Sequence, residues 1–204
     1  MVYDRNESFL GHVHRHPAKI WFRHSADDSG VLVKVEAKVI LDGGAYASTT
    51  SAVLANACCF SVGPYRVPNA RIEGWGVRTN NPPCGAMRGF GNVQTCFAAE
   101  AQMDKLAKAL SLDPVEFRLL NALETGDILI TGQEITGTAP VKEVLTSLAQ
   151  YPLPEPTKGE LLDLPGGTGR TTDKSHVKRG VGYAASIKNL MFSEGFDDFS
   201  EARC

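Results

Sequence analysis

The residues best placed for chemistry lie in the run Cys84-Gly-Ala-Met-Arg-Gly-Phe-Gly-Asn-Val-Gln94. Gly89 and Gly91 bracket Phe90, and Gly85 precedes Arg88 by three residues. Glycines this dense permit positive φ angles and let a ligand approach the backbone closely. The run leads into a helical pattern, so its end is a helix N-terminus, where unpaired N–H groups attract an oxyanion or oxo ligand. An arginine and an aromatic between such glycines suit a planar, polar small molecule. On residue types alone, a Gly-rich strand-to-helix turn with a core phenylalanine is an equally good reading.

Two other segments bear on chemistry. In His12-Val-His-Arg-His-Pro17 an extended chain points His12, His14 and His16 the same way and Arg15 the other. Imidazoles are common metal ligands, but no carboxylate or cysteine stands near in sequence, so ordinary hydrogen bonds are the better expectation. Phe192-Ser193, in Lys188-Asn-Leu-Met-Phe-Ser-Glu-Gly195, is unremarkable by itself.

The bulk numbers set outer limits. The 204 residues suffice for one large domain or two small ones, with a net charge of -2 and no basic block. Nucleic acid is therefore not the expected partner. No apolar run reaches the roughly 20 residues that span a bilayer, and the N-terminus lacks a signal-peptide pattern, so a cytoplasmic setting is expected. Five cysteines, Cys58, Cys59, Cys84, Cys96 and Cys204, match no zinc or iron–sulfur spacing. Vicinal Cys58-Cys59 reads as a pair of buried free thiols.

The elements that must hold these residues follow from periodicity. Val31–Ile40 alternates, with Val31, Val33, Val35, Ala37 and Val39 on one face and Lys34, Glu36 and Lys38 on the other, a half-buried strand. Asp42-Gly43-Gly44 reads as a turn, 48–60 as a buried helix ended by Gly63-Pro64, and 70–78 as another strand. Two prolines make 79–85 a structured loop. Asn92–Leu110 has helical spacing with Val93, Phe97, Ala101, Met103, Leu106, Ala107 and Leu110 as its apolar face and Lys105 and Lys108 near its end. Asp113-Pro114 is an N-cap followed by proline at the first helical position, starting a short helix to about Leu123. A further helix is expected over 138–150, with Thr138 a possible cap. Residues 151–178 read as a linker or surface excursion, and 179–188 as strand-like again. The expected class is α+β, with mixed sheet segments packed against several helices. The expected units are 1–150, the excursion 151–178, and a further segment 179–204.

The Gly-Ala-Met-Arg-Gly-Phe-Gly run resembles the Ala-Phe-Arg-Gly-Phe-Gly loop of the molybdenum-binding subunits of the xanthine dehydrogenase/aldehyde oxidase family. Thr79-Asn80, Pro82 and Gln94 flank it as in that family. Arg5-Asn6-Glu7, Arg15-His16-Pro17, Pro64-Tyr65, Val67-Pro68-Asn69 and the stretch from Arg179-Gly180 to Phe192-Ser193 also have counterparts, in the same order. The resemblance implies that Arg88, with Gly89 and Gly91, forms the cofactor loop. The backbone amide of Arg88 then faces the molybdenum, with no side-chain ligand. It makes Phe90 and Phe192 substrate-clamping aromatics, Ser193 a hydroxyl in place of a threonine, and Arg15 the arginine that steadies charge on the substrate. Gly89, where carbon monoxide dehydrogenases carry a cysteine, argues against a copper-binding variant.

The implied chemistry is hydroxylation of an N-heteroaromatic, a purine or an aldehyde with oxygen from water. It needs molybdenum-molybdopterin, with 2Fe-2S clusters and FAD on other domains or subunits. The family's catalytic glutamate sits in a Gly-Val-Gly-Glu-like segment, and neither it nor the upstream Gly-rich cofactor loop is found in these residues. The expectation is therefore a piece of such a subunit, cut at both ends and inactive alone, that works with the remaining segments and the iron–sulfur and FAD partners. The alternative is a non-catalytic binding module that keeps Arg15, Arg88, Phe90 and Phe192 for a planar ligand.

Overall fold

A computed structural model describes residues 2–152, 180–189 and 201–203. The excursion expected over 151–178 lies almost wholly outside the described residues.

Three strands form one sheet in the order β1-β2-β3. β1 (Ala18–Ala26) runs antiparallel to β2 (Leu32–Gly44), and β2 runs parallel to β3 (Ala70–Arg78). The parallel pair requires a crossover, and α2 (Thr50–Cys59) provides it. α2 covers β3 and β2, α3 (Asn92–Leu110) covers β1, and the two helices touch. α4 (Pro114–Asn121) packs on α3, and α5 (Val141–Ala149) on α4. A short α1 (Arg5–Gly11) starts on a capping box, in which Asp4 accepts from the Glu7 N–H and Glu7 accepts from the Asp4 N–H. The class is α+β, as the sequence implies.

Several elements differ in detail from the expectation. The alternation of β2 holds from Val35, with Val35, Ala37, Val39 and Leu41 buried. Upstream, Leu32 is buried and Val31 and Val33 are exposed, because pairing with β1 shifts register at Ser25/Ala26. Gly43 and Gly44 belong to the strand rather than to a turn, and a second register shift there accommodates Gly44 at φ +73°. β1 has no counterpart among the expected elements; it turns Ile20, Phe22 and His24 inward. α3 has the expected bounds and buries Met103 and Ala107 as expected, but in its first turns Thr95 and Ala99 are buried while Val93 and Phe97 face outward. The small residues win because they let the helix lie close to β1 and α2. Cys58 is half-buried and Cys59 exposed, so the thiol pair is not buried as expected. α5 begins after Pro140 without a side-chain cap, so Thr138 does not cap it. Residues 180–189 form no strand; they lie along α3, where Asn92 donates to Ser186 and Ile187.

Two apolar clusters anchor these layers. One joins Leu32, Tyr65, Met103, Ala107 and Phe117; the other joins Val39, Leu41, Val53 and Ala57. Beside the first lies a buried polar network. Arg118, 0% exposed, donates to Glu100 (2.8 Å), Asp104 (2.8 Å) and the Pro114 carbonyl (2.9 Å). Tyr65 donates to the other Glu100 oxygen at 2.7 Å, and burial with that carboxylate pushes its phenol far up, so it stays a donor. Asn121 accepts from the Leu32 N–H and donates to Gly30, which ties α4 to the β1–β2 connection. Arg118→Ala should cost about 3–5 kcal/mol by stranding the buried Glu100 charge; the shift of the urea midpoint measures it.

His24 is 6% exposed, and both ring nitrogens lack partners among the described residues. Burial pushes its pKa down from 6.5 to about 4. The neutral ring is therefore tolerated and the charged one is not. Its contribution is complete above pH 6.5 and is lost as the pH falls toward 4. Between pH 7 and pH 5 the chain should lose about 2 kcal/mol of stability through this group, and His24→Leu should remove that part of the slope. Urea unfolding at the two pH values reads both.

Candidate cofactor-facing site

The end of β2 organises the approach to the Gly-rich run. The Asp42 carboxylate accepts from Thr79 (2.6 Å), the Gly44 N–H (2.9 Å) and Asn81, and these bonds, that of Thr79 foremost, hold its pKa low. The Gly43 carbonyl accepts from the Cys84 N–H at 3.1 Å. On the far side the His12–His16 segment bridges Cys84 in parallel: His14 N–H donates to Pro83 at 3.2 Å and Gly85 N–H to His14 at 3.0 Å. Gln94, on α3, donates to the His16 carbonyl at 3.2 Å. The two segments singled out in the sequence therefore meet, though they lie some seventy residues apart.

Beyond Gly85 the chain makes a tight left-handed passage, with φ of +90° at Gly89, +48° at Phe90 and +93° at Gly91. A side chain at Gly91 would put its Cβ 2.3 Å from the Val53 carbonyl oxygen of α2. The Phe90 ring packs against the Val39, Leu41, Val53 and Ala57 cluster. Arg88 is exposed. Among the described residues the N–H groups of Ala86, Met87, Arg88 and Gly89 make no hydrogen bond, and no side chain caps the N-terminus of α3.

Arg15 reaches the backbone of the Gly-rich run. Its Nη2 donates to the Arg88 carbonyl at 2.7 Å, while Nη1 is buried and unpaired among the described residues. One nitrogen is thus committed to the loop backbone. Phe192 and Ser193 lie outside the described residues. Asn56, which no motif or spacing singles out, donates from α2 to the Phe90 carbonyl at 2.7 Å. Its one signal in the sequence is a lone amide in an Ala- and Cys-rich helix.

The histidines do not gather. His16 is buried on Thr50 at 2.9 Å with its pKa lowered by burial, His12 contacts the Val13 carbonyl, and no group of three metal-ligating side chains forms among the described residues. Burial, then Asp42, raises the Cys84 thiol, which stays protonated. Two clefts, of about 620 and 380 Å³, lie at the ends of β2 and β3 around Tyr46 and Arg78; neither is lined by Arg15, Arg88 or Phe90.

A Gly-rich turn with four N–H groups unpaired among the described residues, placed at an uncapped helix N-terminus beside a guanidinium, suits a cofactor bearing oxo or phosphate oxygens. Residues 1–122 match the model of the molybdopterin cofactor-binding domain, and the chain belongs to that family. It is 38% identical over 193 residues to a probable xanthine dehydrogenase subunit of Bacillus subtilis (strain 168), covering 94% of this chain and 26% of that protein. It is 42% identical over 145 residues to the nicotinate dehydrogenase large molybdopterin subunit of Eubacterium barkeri, covering 71% and 34%. The aldehyde oxidoreductase structure from Desulfovibrio gigas superposes with a TM-score of 0.69 at 31% identity, covering 72% of this chain and 16% of that one. The chain thus spans about a quarter to a third of the length of these two sequence relatives. No helix among the described residues is long and apolar enough to cross a membrane.

The residues present fit the cofactor. Among the described residues four consecutive N–H groups are unpaired and the guanidinium has a buried nitrogen without a partner, and the turn admits no side chain at Gly91. Gly91→Ala should destabilise the chain by about 3 kcal/mol through backbone strain and overpacking against α2. A control at a glycine with open space around it, Gly137→Ala, should stay within about 0.5 kcal/mol; chemical denaturation compares the two.

Proposed function

We propose that this chain contributes the cofactor-facing loop of a molybdenum hydroxylase. The enzyme would oxidise an N-heteroaromatic or purine, or an aldehyde, with water as the oxygen source, and would pass electrons to 2Fe-2S and FAD centres on other domains or subunits. The observation that carries this reading is the run of four N–H groups at Ala86–Gly89, unpaired among the described residues, set in a domain of the molybdopterin-binding family.

When bound, the molybdenum–pterin cofactor supplies the oxygen transfer and the two-electron chemistry. The chain's own residues hold and orient. The N–H groups of Ala86–Gly89 would hold oxygens of the cofactor, as fixed backbone donors near a helix N-terminus hold anionic groups. Phe90 is fixed by the apolar cluster beneath it and gives one wall of the substrate slot. Phe192 and Ser193, which lie outside the described residues, are carried over from the resemblance as a second substrate aromatic and a hydroxyl. Arg15 acts through the loop it grips, since its Nη2 is held by the Arg88 carbonyl. Two aromatics and a cationic loop suit a heteroaromatic ring better than a simple aldehyde.

The test is to isolate the native assembly by a tag on this chain, then measure molybdenum, pterin, iron and FAD, and assay nicotinate, xanthine and a small aldehyde with an artificial electron acceptor. The expected result is molybdenum and pterin near one per chain, with a heteroaromatic oxidised faster than the aldehyde. An intact assembly devoid of molybdenum and pterin would sink the proposal and leave the binding-module alternative.

A further inference from the structure

The turn at 86–91 has an asymmetry that glycine content alone does not produce. Its N–H groups at Ala86–Gly89 are unpaired among the described residues, yet each of the four carbonyls from Met87 to Phe90 accepts from a donor. The Met87 carbonyl takes the Phe90 N–H (2.7 Å) and the Gly89 carbonyl takes the Asn92 N–H (3.0 Å). These two bonds are internal to the turn. The two alternate carbonyls are held by side chains from remote elements: Arg88 by Arg15 Nη2 and Phe90 by Asn56 Nδ2, both at 2.7 Å.

We infer that Arg15 and Asn56 are paired positioning residues that hold the Arg88 and Phe90 carbonyls inward and so leave the outer surface of the loop rich in free donors. In a trans peptide the C=O and the following N–H point in opposite directions. No cis bond occurs in the described chain, so a guanidinium on the Arg88 oxygen aims the Gly89 N–H away from Arg15. Asn56 fixes the plane between Phe90 and Gly91 in the same way. The two clamps also offset the strain of Phe90 at φ +48°, a conformation a free phenylalanine avoids. No carboxylate pairs with Arg15 among the described residues, so its charge adds to the donor surface instead of being cancelled. A carbonyl left loose in this turn would face an incoming oxo or phosphate group and repel it. The functional meaning rests on the cofactor-facing reading above; the positioning itself does not.

Two measurements on the whole chain read the loop directly. The first is tryptic release of the peptide ending at Arg88, followed by mass spectrometry; the second is the amide ¹H–¹⁵N signals of Ala86–Gly89. Arg15→Ala and Asn56→Asp, the latter isosteric but without a donor, should each speed cleavage by about tenfold, the effect of losing one good hydrogen bond to local opening. Both should shift those amide signals while the urea midpoint changes little. Arg15→Lys and Asn56→Gln, which keep a donor, should restore part of the protection. Unchanged cleavage and unchanged amide signals in both donor-less variants would overturn the inference. In the native assembly, the same two variants should lower molybdenum content. If the amide signals move but molybdenum content does not, positioning stands and the cofactor-facing reading fails.

Discussion

The backbone of Gly91 runs against the carbonyl of Val53, so close that no β-carbon fits between them. That contact fixes where the Gly-rich turn ends and where α3 begins, and it seats both on α2. α2 is in turn placed by the parallel pairing of β2 and β3, since a crossover helix must return over the sheet it connects. The geometry of the turn is therefore inherited from the sheet through one helix. The left-handed angles at three successive residues are held from outside, by packing below and by hydrogen bonds from Arg15 and Asn56.

A second constraint sets the middle of α3. Arg118, Glu100, Asp104 and Tyr65 form a buried network in which the polar groups named find partners, and it joins α3, α4 and the segment after α2. Such networks add little net stability relative to a well-packed apolar core, but they fix geometry, because a shifted helix strands a charge. With Gly91 pinning the first turn of α3 and Arg118 its middle, the helix has little freedom to slide. The loop at its N-terminus gains a rigid base.

Much of this is legible in the residues. The Gly-rich run, the bounds of α3, the Asp113-Pro114 start of α4 and the strand at 70–78 each rest on a local rule that tertiary structure leaves intact. The failures arise where tertiary packing overrides or hides the local pattern. β1 alternates inward Ile20, Phe22 and His24 with outward Lys19, Trp21 and Arg23, but a histidine inside and a tryptophan outside hide the period. On α3 the larger apolar residues Val93 and Phe97 suggest the wrong face, because close approach to β1 and α2 selects Thr95 and Ala99 instead. The role of Asn56 is invisible for a different reason. A side chain that serves a backbone carbonyl 34 residues away leaves no trace in spacing. The same holds for the bond from Arg15, whose partner is a backbone carbonyl 73 residues distant.

That distance also bears on how the molecule assembles. Contacts spanning many residues must overcome chain-closure entropy before they give anything back, and parallel strand pairs are slow for this reason. The bond between Arg15 and the Arg88 carbonyl needs the β1–β2 hairpin, the α2 crossover, β3 and the proline loop to be in place first. The hairpin and the helices can form early from local contacts, whereas the turn reaches its final shape only when its two ends are already anchored. A nascent chain would then pass through a compact stage that has its core but no competent binding surface, and loading of any cofactor would follow folding instead of guiding it.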